Sequence, residues 1–517
     1  MRRSERINQQ YQSAYAVDNN IILEVDLMAK AKETKAPRAK RTPTFLEAII
    51  PIIVMLVVLT IGKGIMGLAT EPLLLLVTSL AAFIAWRVGT TWDEMMEGIC
   101  EKTAKSMPSI LILIVVGALV GTWVLSGTIP MLVYYGVQIV NPQWMLVTSF
   151  LICAIVSVCT GTSWGSVATM GVALMGIAST LGVSLPATAG AVVAGSYFGD
   201  KISPLSDTTN LAPIAAGSQL YEHIGHMLWT TVPGAIISII VYAIAGRGVA
   251  SDATATSDSV STMLTQLDQM FDWNILLLLP VLLVLLGSLL KKPTLPVMML
   301  STVVAGAEAM IFQGATFANV ITATASGFKV SMINREGFDS SNVVFEVTKL
   351  LERGGMNGIM STCLLVFCAL CFAGIMSKCG CLEVILHKIL AVSKSTGSLV
   401  LATVVSCMIM GLSTGNSYMS ILIPGELFRK GYVERGLHPK NLSRTLEDAG
   451  TVFVPLIPWS AAGAYMTSCL GVEVLQFLPW AVLCYVGFMI AIIYGFTGFG
   501  IAKLSEEEKA RYLAEMV

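Results

Sequence analysis

Apolar runs long enough to cross a bilayer recur along almost the whole of this chain, and few folds can accommodate that recurrence. A hydrocarbon core takes roughly 20 residues of helix to span. Runs of this kind, some interrupted, lie near 45–61, 65–86, 107–126, 144–181, 185–218 and 224–246, and again near 273–290, 295–312, 356–376, 396–430, 441–470 and 474–496. Shorter apolar segments lie near 129–140 and 381–392. Lipid offers no hydrogen bonds, so each backbone N–H and C=O must be paired inside its own segment. The fold class expected is therefore all-α, a polytopic membrane protein. Hydrophobic residues make up 55% of the 517 and charged ones only 13%, which leaves little room for a separate soluble domain.

The polar stretches between the runs set an orientation. The first 44 residues are polar and are expected to form a disordered tail without a cleaved secretory signal; Met28 opens an alternative start. Lys30, Lys32, Lys35, Arg38, Lys40 and Arg41 precede the first span with only Glu33 against them, placing this end in the cytoplasm. Lys291 with Lys292, and Arg429, Lys430, Arg435, Lys440 and Arg444, face the same side on this reading, as does the tail 497–517. The linker 247–272 has Arg247 as its only basic residue and reads as external. Trp92 to Lys105 is amphipathic and is expected to lie on the cytoplasmic surface.

Several function classes are disfavoured. A net charge of -1 argues against nucleic acid. The four histidines form no zinc motif, and no serine has a nucleophile-elbow context, so an enzyme is not expected. His223 and His226, at the entry to a span, suit a surface or capping role. Most of the eleven cysteines lie in apolar segments and read as free thiols; Cys379 and Cys381 flank one glycine, which is neither a redox nor a convincing metal spacing. No cofactor is expected.

The chain carries an internal echo. CTGTSWG at Cys159 to Gly165 has a counterpart in STGNSYM at Ser413 to Met419, and aligning Gly161 with Gly415 gives an offset of 415 − 161 = 254. Without a gap, the same offset pairs Cys153 with Cys407, Thr160 with Thr414, Ser163 with Ser417, Gly171 with Gly425, Pro204 with Pro458 and Ser206 with Ser460. Two repeats follow, 45–246 and 273–496, and an odd number of crossings in each would invert one against the other. Inverted repeats with paired broken helices point to a secondary transporter whose site lies near the midplane.

The chemistry concentrates where those helices break. Glycine permits unusual backbone angles, and Thr162, Ser163, Thr414, Asn416 and Ser417 add the hard oxygen donors an alkali cation needs. In Ala189 to Thr209, Asp207 follows the Pro204 break among Ser206, Thr208 and Thr209 and is the first choice for a cation-binding carboxylate. Asp200, about two helical turns earlier, would share its face if the helix were continuous. Lys201 is expected to pair with Asp200. Carboxylates at membrane depth cost about 2.5–3.5 kcal/mol to insert, which favours a functional reading. Glu447 and Asp448 read either as a second ion or proton site or as a pair bonded to Arg444. Ser460 completes the second break, so the first repeat would carry the charge and the second neutral ligands. Trp164 and Trp459, inside the breaks, are candidate cavity walls, and Glu308 reads as interfacial.

The segments GTSWGSVATMGVALMGIA at 161–178 and AGSYFGDKISPLSDTTNLAP at 194–213, with LEDAGT and PWSAAGAY further on, resemble the NhaC-type sodium/proton antiporters from about residue 45 to 496. The resemblance implies inverted repeats built from helical hairpins and broken helices, and a transport domain moving against a scaffold. It implies sodium moved out in exchange for protons by alternating access, with sodium at the Asp207 cluster, in a bacterial inner membrane. In related sodium/carboxylate carriers a Ser-Asn-Thr motif at each break holds sodium. Here Ser206, Asp207, Thr208 place an acid at the amide position, and Trp459, Ser460, Ala461 depart from the pattern. The family also implies an alternative, exchange of organic acids such as malate and lactate or of amino acids, with Lys201 and the TGTS and TGNS amides facing the carboxylate. Carriers of this general design are often dimers.

Overall fold

The computed structural model describes residues 40–247, 253–290, 292–335 and 338–514. The expectations for 1–39, and those for 248–252 in the linker, lie outside the described residues. Among those described the chain is helical, and its only bridge between extended segments joins Leu437 to Lys503. Eight helices are long and apolar enough to cross a membrane, or up to ten if each of two bent pairs counts as one span.

The first half begins with α1 (Phe45–Leu59), α2 (Thr70–Arg87), α3 (Trp92–Leu125) and α4 (Thr128–Ile139). Thr44 and Thr91 start α1 and α3 with reciprocal capping boxes to Glu47 and Glu94. The amphipathic stretch from Trp92 does not lie apart on a surface as expected. It is the first two fifths of α3, a 34-residue helix, because Thr91 caps it and the helix continues through Pro108 into the apolar run. At 1.5 Å per residue α3 is about 50 Å long, longer than the hydrocarbon core. It packs through glycine: a Cβ on Gly98 would sit 2.7 Å from the carbonyl of Gly374. Such contacts let transmembrane helices approach closely.

Next come α5 (Met145–Thr160), α6 spanning 163–180 with a π-turn at Val167–Gly171, α7 (Leu185–Ile202), α8 (Asp207–Ala216) and α9 (Leu220–Gly246). A Cβ on Gly195 would overlap the carbonyl of Phe150, and one on Gly199 the carbonyl of Ala154. Contacts that advance together along both chains make α5 and α7 parallel. The chain must return between them, so α5 and α6 form a hairpin with its tip at Gly161–Thr162, and α7 descends beside it to the break before α8.

The linker is largely helical, as α10 (Ala253–Met270). The second half runs α11 (Leu279–Leu289), α12 (Thr294–Phe312), α13 (Phe317–Ser326), α14 (Phe345–Leu351), α15 (Met360–Lys378), α16 (Cys381–Val392), α17 (Thr396–Thr414) and α18 (Ser417–Glu434). It closes with α19 (Pro439–Leu446) leading into a π-turn at Glu447–Thr451, then α20 (Ala461–Leu470), α21 (Val474–Phe477), α22 (Val482–Thr497) and α23 (Glu506–Ala514). Element boundaries recur at the offset of 254: α5 ends at Thr160 and α17 at Thr414, α6 starts at Ser163 and α18 at Ser417, α8 starts at Asp207 and α20 at Ala461. The caps recur too, with Gly161 and Gly415, and Gly217 and Gly471, all left-handed.

At Gly161 the left-handed φ of 68° and the packing both demand glycine, since a Cβ would sit 2.5 Å from the Leu205 Cβ. At Gly415, φ 60°, the nearest atom would be the Ser460 Cα at 3.2 Å. Gly161→Ala is therefore expected to lower thermal stability more than Gly415→Ala, which loses only the roughly 1–2 kcal/mol of left-handed strain. Equal melting shifts in the two variants would contradict this.

Candidate cation site

Four helix starts meet at the two breaks, and each is capped by a residue the sequence singles out. Thr162 accepts from Gly165 N (3.3 Å), Ser206 from Thr209 N (3.4 Å), Asn416 from Tyr418 N (2.9 Å) and Ser460 from Gly463 N (2.8 Å). A side-chain cap satisfies an N–H that lipid could not. These four side chains hold the breaks open before they hold anything else, and their helix N-termini bring partial positive charge to the centre.

Between the breaks lies a cavity of about 480 Å³. Thr162, Ser163, Asp200, Ser206, Asp207 and Thr208 line it from the first half, and Asn416 and Ser417 from the second. Thr209, Thr414 and Ser460 do not line it. Thr209 Oγ1 donates to the Asp200 carbonyl (2.8 Å) and Thr414 Oγ1 to Met410 O (2.7 Å), while Ser460 Oγ is taken up by Val454 O (2.8 Å), Ile457 O (2.9 Å) and its own cap.

The two aspartates stand in different surroundings. Asp200, in the last turn of α7, is 7% exposed, and Ser163 Oγ donates to its Oδ2 at 2.7 Å. Asp207, the first residue of α8, is exposed in the cavity, with the Tyr418 hydroxyl 3.5 Å from its Oδ2. The two turns assumed between them do not exist as helix, because the chain leaves α7 at Ser203 and restarts at Ser206. The buried, bonded carboxylate is Asp200.

Three further expectations are corrected. Lys201 does not pair with Asp200; its ammonium is bonded to Asp448 Oδ1, both side chains fully buried, across 247 residues of sequence. Thr230 Oγ1 also donates to Asp448 Oδ1 (3.2 Å). Arg444 bonds neither neighbouring acid but donates to Gly500 O (2.9 Å), because the π-turn at Glu447–Thr451 rotates the acids toward the first half. The second half is not neutral at the site, since Lys292 lines the cavity; behind the wall, Thr208 donates to Glu447 Oε1 at 3.1 Å, and Glu447 Oε2 has no hydrogen-bond partner.

Trp164 lines the cavity and stacks on Tyr465 with centroids 4.2 Å apart, whereas Trp459 turns its Nε1 to Leu412 O (2.8 Å) and is not part of the wall. Glu308 is 5% exposed, and neither of its oxygens is bonded. His223 and His226 are likewise buried, held by Ser443 (2.9 Å) and Asn441 (3.1 Å). Sequence reasoning missed Tyr418, Thr451 and Lys292, all of which line the cavity. Tyr418 follows the flagged TGNS directly; nothing local marks Lys292, which arrives from the α11–α12 turn. Among the described residues no cluster of His, Cys, Asp and Glu could hold a metal through three such side chains, so a cation here relies on hydroxyl, amide and backbone oxygens beside a carboxylate.

A multi-pass helical membrane protein with a polar cavity at two paired, capped helix breaks is the class of molecule these features define. A model of the Na+/H+ antiporter family matches residues 195–499, which takes in the second break and the Ser203–Ser206 side of the first. The chain is 50% identical over 472 residues to an uncharacterized Na(+)/H(+) antiporter of Haemophilus influenzae, covering 91% of this chain and 100% of that one. It is 38% identical to the Na(+)/H(+) antiporter NhaC of Alkalihalophilus pseudofirmus, covering 84% and 92%. To the malate-2H(+)/Na(+)-lactate antiporter of Bacillus subtilis it is 32% identical, covering 89% and 96%. The chain belongs to the Na+/H+ antiporter family, in its NhaC-type branch.

Proposed function

We propose that this protein exchanges sodium for protons across a bacterial plasma membrane, with its N-terminus in the cytoplasm, and that both ions compete for the Asp200 carboxylate. The observation that carries the reading is the buried Asp200, bonded to Ser163 and facing a cavity at paired helix breaks. Sodium would be held by Asp200 with Ser163, Thr162 and Asn416 oxygens, and Asp207 would draw cations into the mouth. Glu447, joined to the cavity through Thr208, would be the second proton acceptor. The recurrence of boundaries at 254 residues supports inverted halves, and the lysine at position 292 on the cavity wall supports an opening toward the cytoplasm. Homology to transporters supports a carrier rather than an enzyme, and we take that carrier to be a homodimer without a resident cofactor. One pH unit supplies about 1.4 kcal/mol per proton and 100 mV about 2.3 kcal/mol per net charge, either enough to expel sodium against a modest gradient.

A second reading rests on Lys292 and the converging helix N-termini, which would suit the carboxylate of an organic acid exchanged with sodium or protons. Purified protein in liposomes with an internal pH dye, challenged separately with sodium, lithium, potassium, malate and lactate, separates the two. A sodium-triggered pH change is expected; a response to organic acids alone would sink the cation reading. A protonated carboxylate cannot hold sodium, so the apparent sodium KM should rise as pH falls, by up to about tenfold per unit for each competing proton. A KM that does not change with pH would exclude competition at one site.

A further inference from the structure

A second cavity, of about 300 Å³, lies at the far end of α20 from the first. Ala461 and Ala462 of α20 line the first cavity, Thr467 and Ser468 the second, and Gly471 just beyond the helix reaches it too. The same division holds on α3, with Ser109 and Ile112 at one and Gly117 and Val120 at the other. The nearest lining positions, Ala462 and Thr467 on α20 and Ile112 and Val116 on α3, are four or five residues apart, about 6–8 Å along the helix. None of the residues assigned to the cation site lines the second cavity.

Its one charged wall is Arg353. The backbone around it is pinned from both sides: Phe328 N donates to Arg353 O (3.2 Å), and Gly355 N donates to Gly117 O on α3 (2.6 Å). Gly354 and Gly355 both have left-handed φ, 83° and 84°, and a Cβ on Gly354 would overlap the Gly121 amide. The turn is thus fixed against α3, and it delivers the arginine to the cavity. Among the described residues the guanidinium has no hydrogen-bond or ion-pair partner, in contrast to Arg444, which is bonded to Gly500 O and lies 5.6 Å from the Tyr494 ring. Arg353 is half-buried, which lowers its pKa with no carboxylate opposing it. Thr362 and Ser468, bonded to each other at 2.9 Å, add hydroxyls to the same wall.

A structural arginine in such a place would be tied to carbonyls or an acid, because even a partly desolvated cation left unpaired is unfavourable. A guanidinium that is unpaired, carried on a fixed turn and set in a cavity wall beside three hydroxyls matches the planar, two-oxygen face of a carboxylate or phosphate. We propose that this cavity is a binding site for a small oxyanion, held through two parallel hydrogen bonds by Arg353 and separate from the cation site. At about 30 Å³ per water the space holds about ten waters, which suits an ion the size of malate or phosphate. The proposal is independent of which ion the first cavity exchanges.

The test uses the full chain in zwitterionic phosphatidylcholine vesicles, with thermal unfolding followed in the presence of millimolar phosphate, malate or lactate. A parallel arm uses phosphatidylglycerol vesicles with no added anion, so that a lipid phosphate can be told from a free one. The wild type should gain several degrees in at least one arm, and that arm names the source. Arg353→Gln should lose the gain, Arg353→Lys should need at least about tenfold more anion because it cannot bond in the forked geometry, and Asp200→Asn should keep the gain. No gain in either arm, a gain that survives in Arg353→Gln, or one lost in Asp200→Asn would overturn the assignment. Should Arg353→Gln fail to fold, a wild-type-like anion dependence in Arg353→Lys would by itself count against bidentate binding.

Discussion

Asp200→Asn is expected to reduce sodium-dependent proton movement at least about 100-fold, corresponding to about 2.8 kcal/mol, while leaving the protein folded. The amide keeps the size of the side chain and can still meet Ser163 Oγ, but it carries no charge for sodium and takes up no proton. Asp207→Asn should cost far less, roughly three- to tenfold in apparent sodium affinity, since its carboxylate stands exposed in the cavity and is screened by water. The measurement is the pH-dye assay in liposomes, run across a sodium series for both variants. Full activity in Asp200→Asn with complete loss in Asp207→Asn would reverse the assignment and restore the order read from sequence.

The second large effect concerns the buried pair that joins the halves. Lys201→Ala or Asp448→Ala should each lower stability by about 3–5 kcal/mol, because either change leaves one charge in the core without its counter-ion. Lys201→Met combined with Asp448→Leu should recover most of that loss, since two apolar side chains of similar volume need no pairing. Thermal unfolding in detergent, read alongside expression level, reports the difference. A double variant as unstable as either single one would mean that the pair stabilises the fold by more than mutual neutralisation. The site has no slack on its third side: a Cβ on Gly487 of α22 would sit 3.2 Å from Asp448 Oδ1 and 3.4 Å from the Lys201 ammonium.

How much was legible depended on whether the signal was local. The breaks were legible because glycine, proline and capping hydroxyls act on their own few residues: Gly161 and Gly415 end helices, and Ser206 and Ser460 begin them, where the 254-residue echo put them. The surface segment at Trp92 was misplaced because amphipathic character shows which face is polar, not whether the helix continues into lipid. Ranking Asp207 over Asp200 failed to anticipate their burial because helical spacing says nothing once Pro204 separates two segments with their own axes.

The sequence by itself determined the class, the 254-residue echo and the location of the breaks, since hydropathy, backbone permissiveness and capping are properties of contiguous residues. Only the tertiary structure decided which acids meet which partners. Lys201 finds Asp448 across 247 residues, Thr208 finds Glu447 across 239, and Arg353 is left facing a cavity with no acid opposite. Pairing in a low-dielectric interior is settled by distance after folding, and no local pattern records which distant helix will pack alongside.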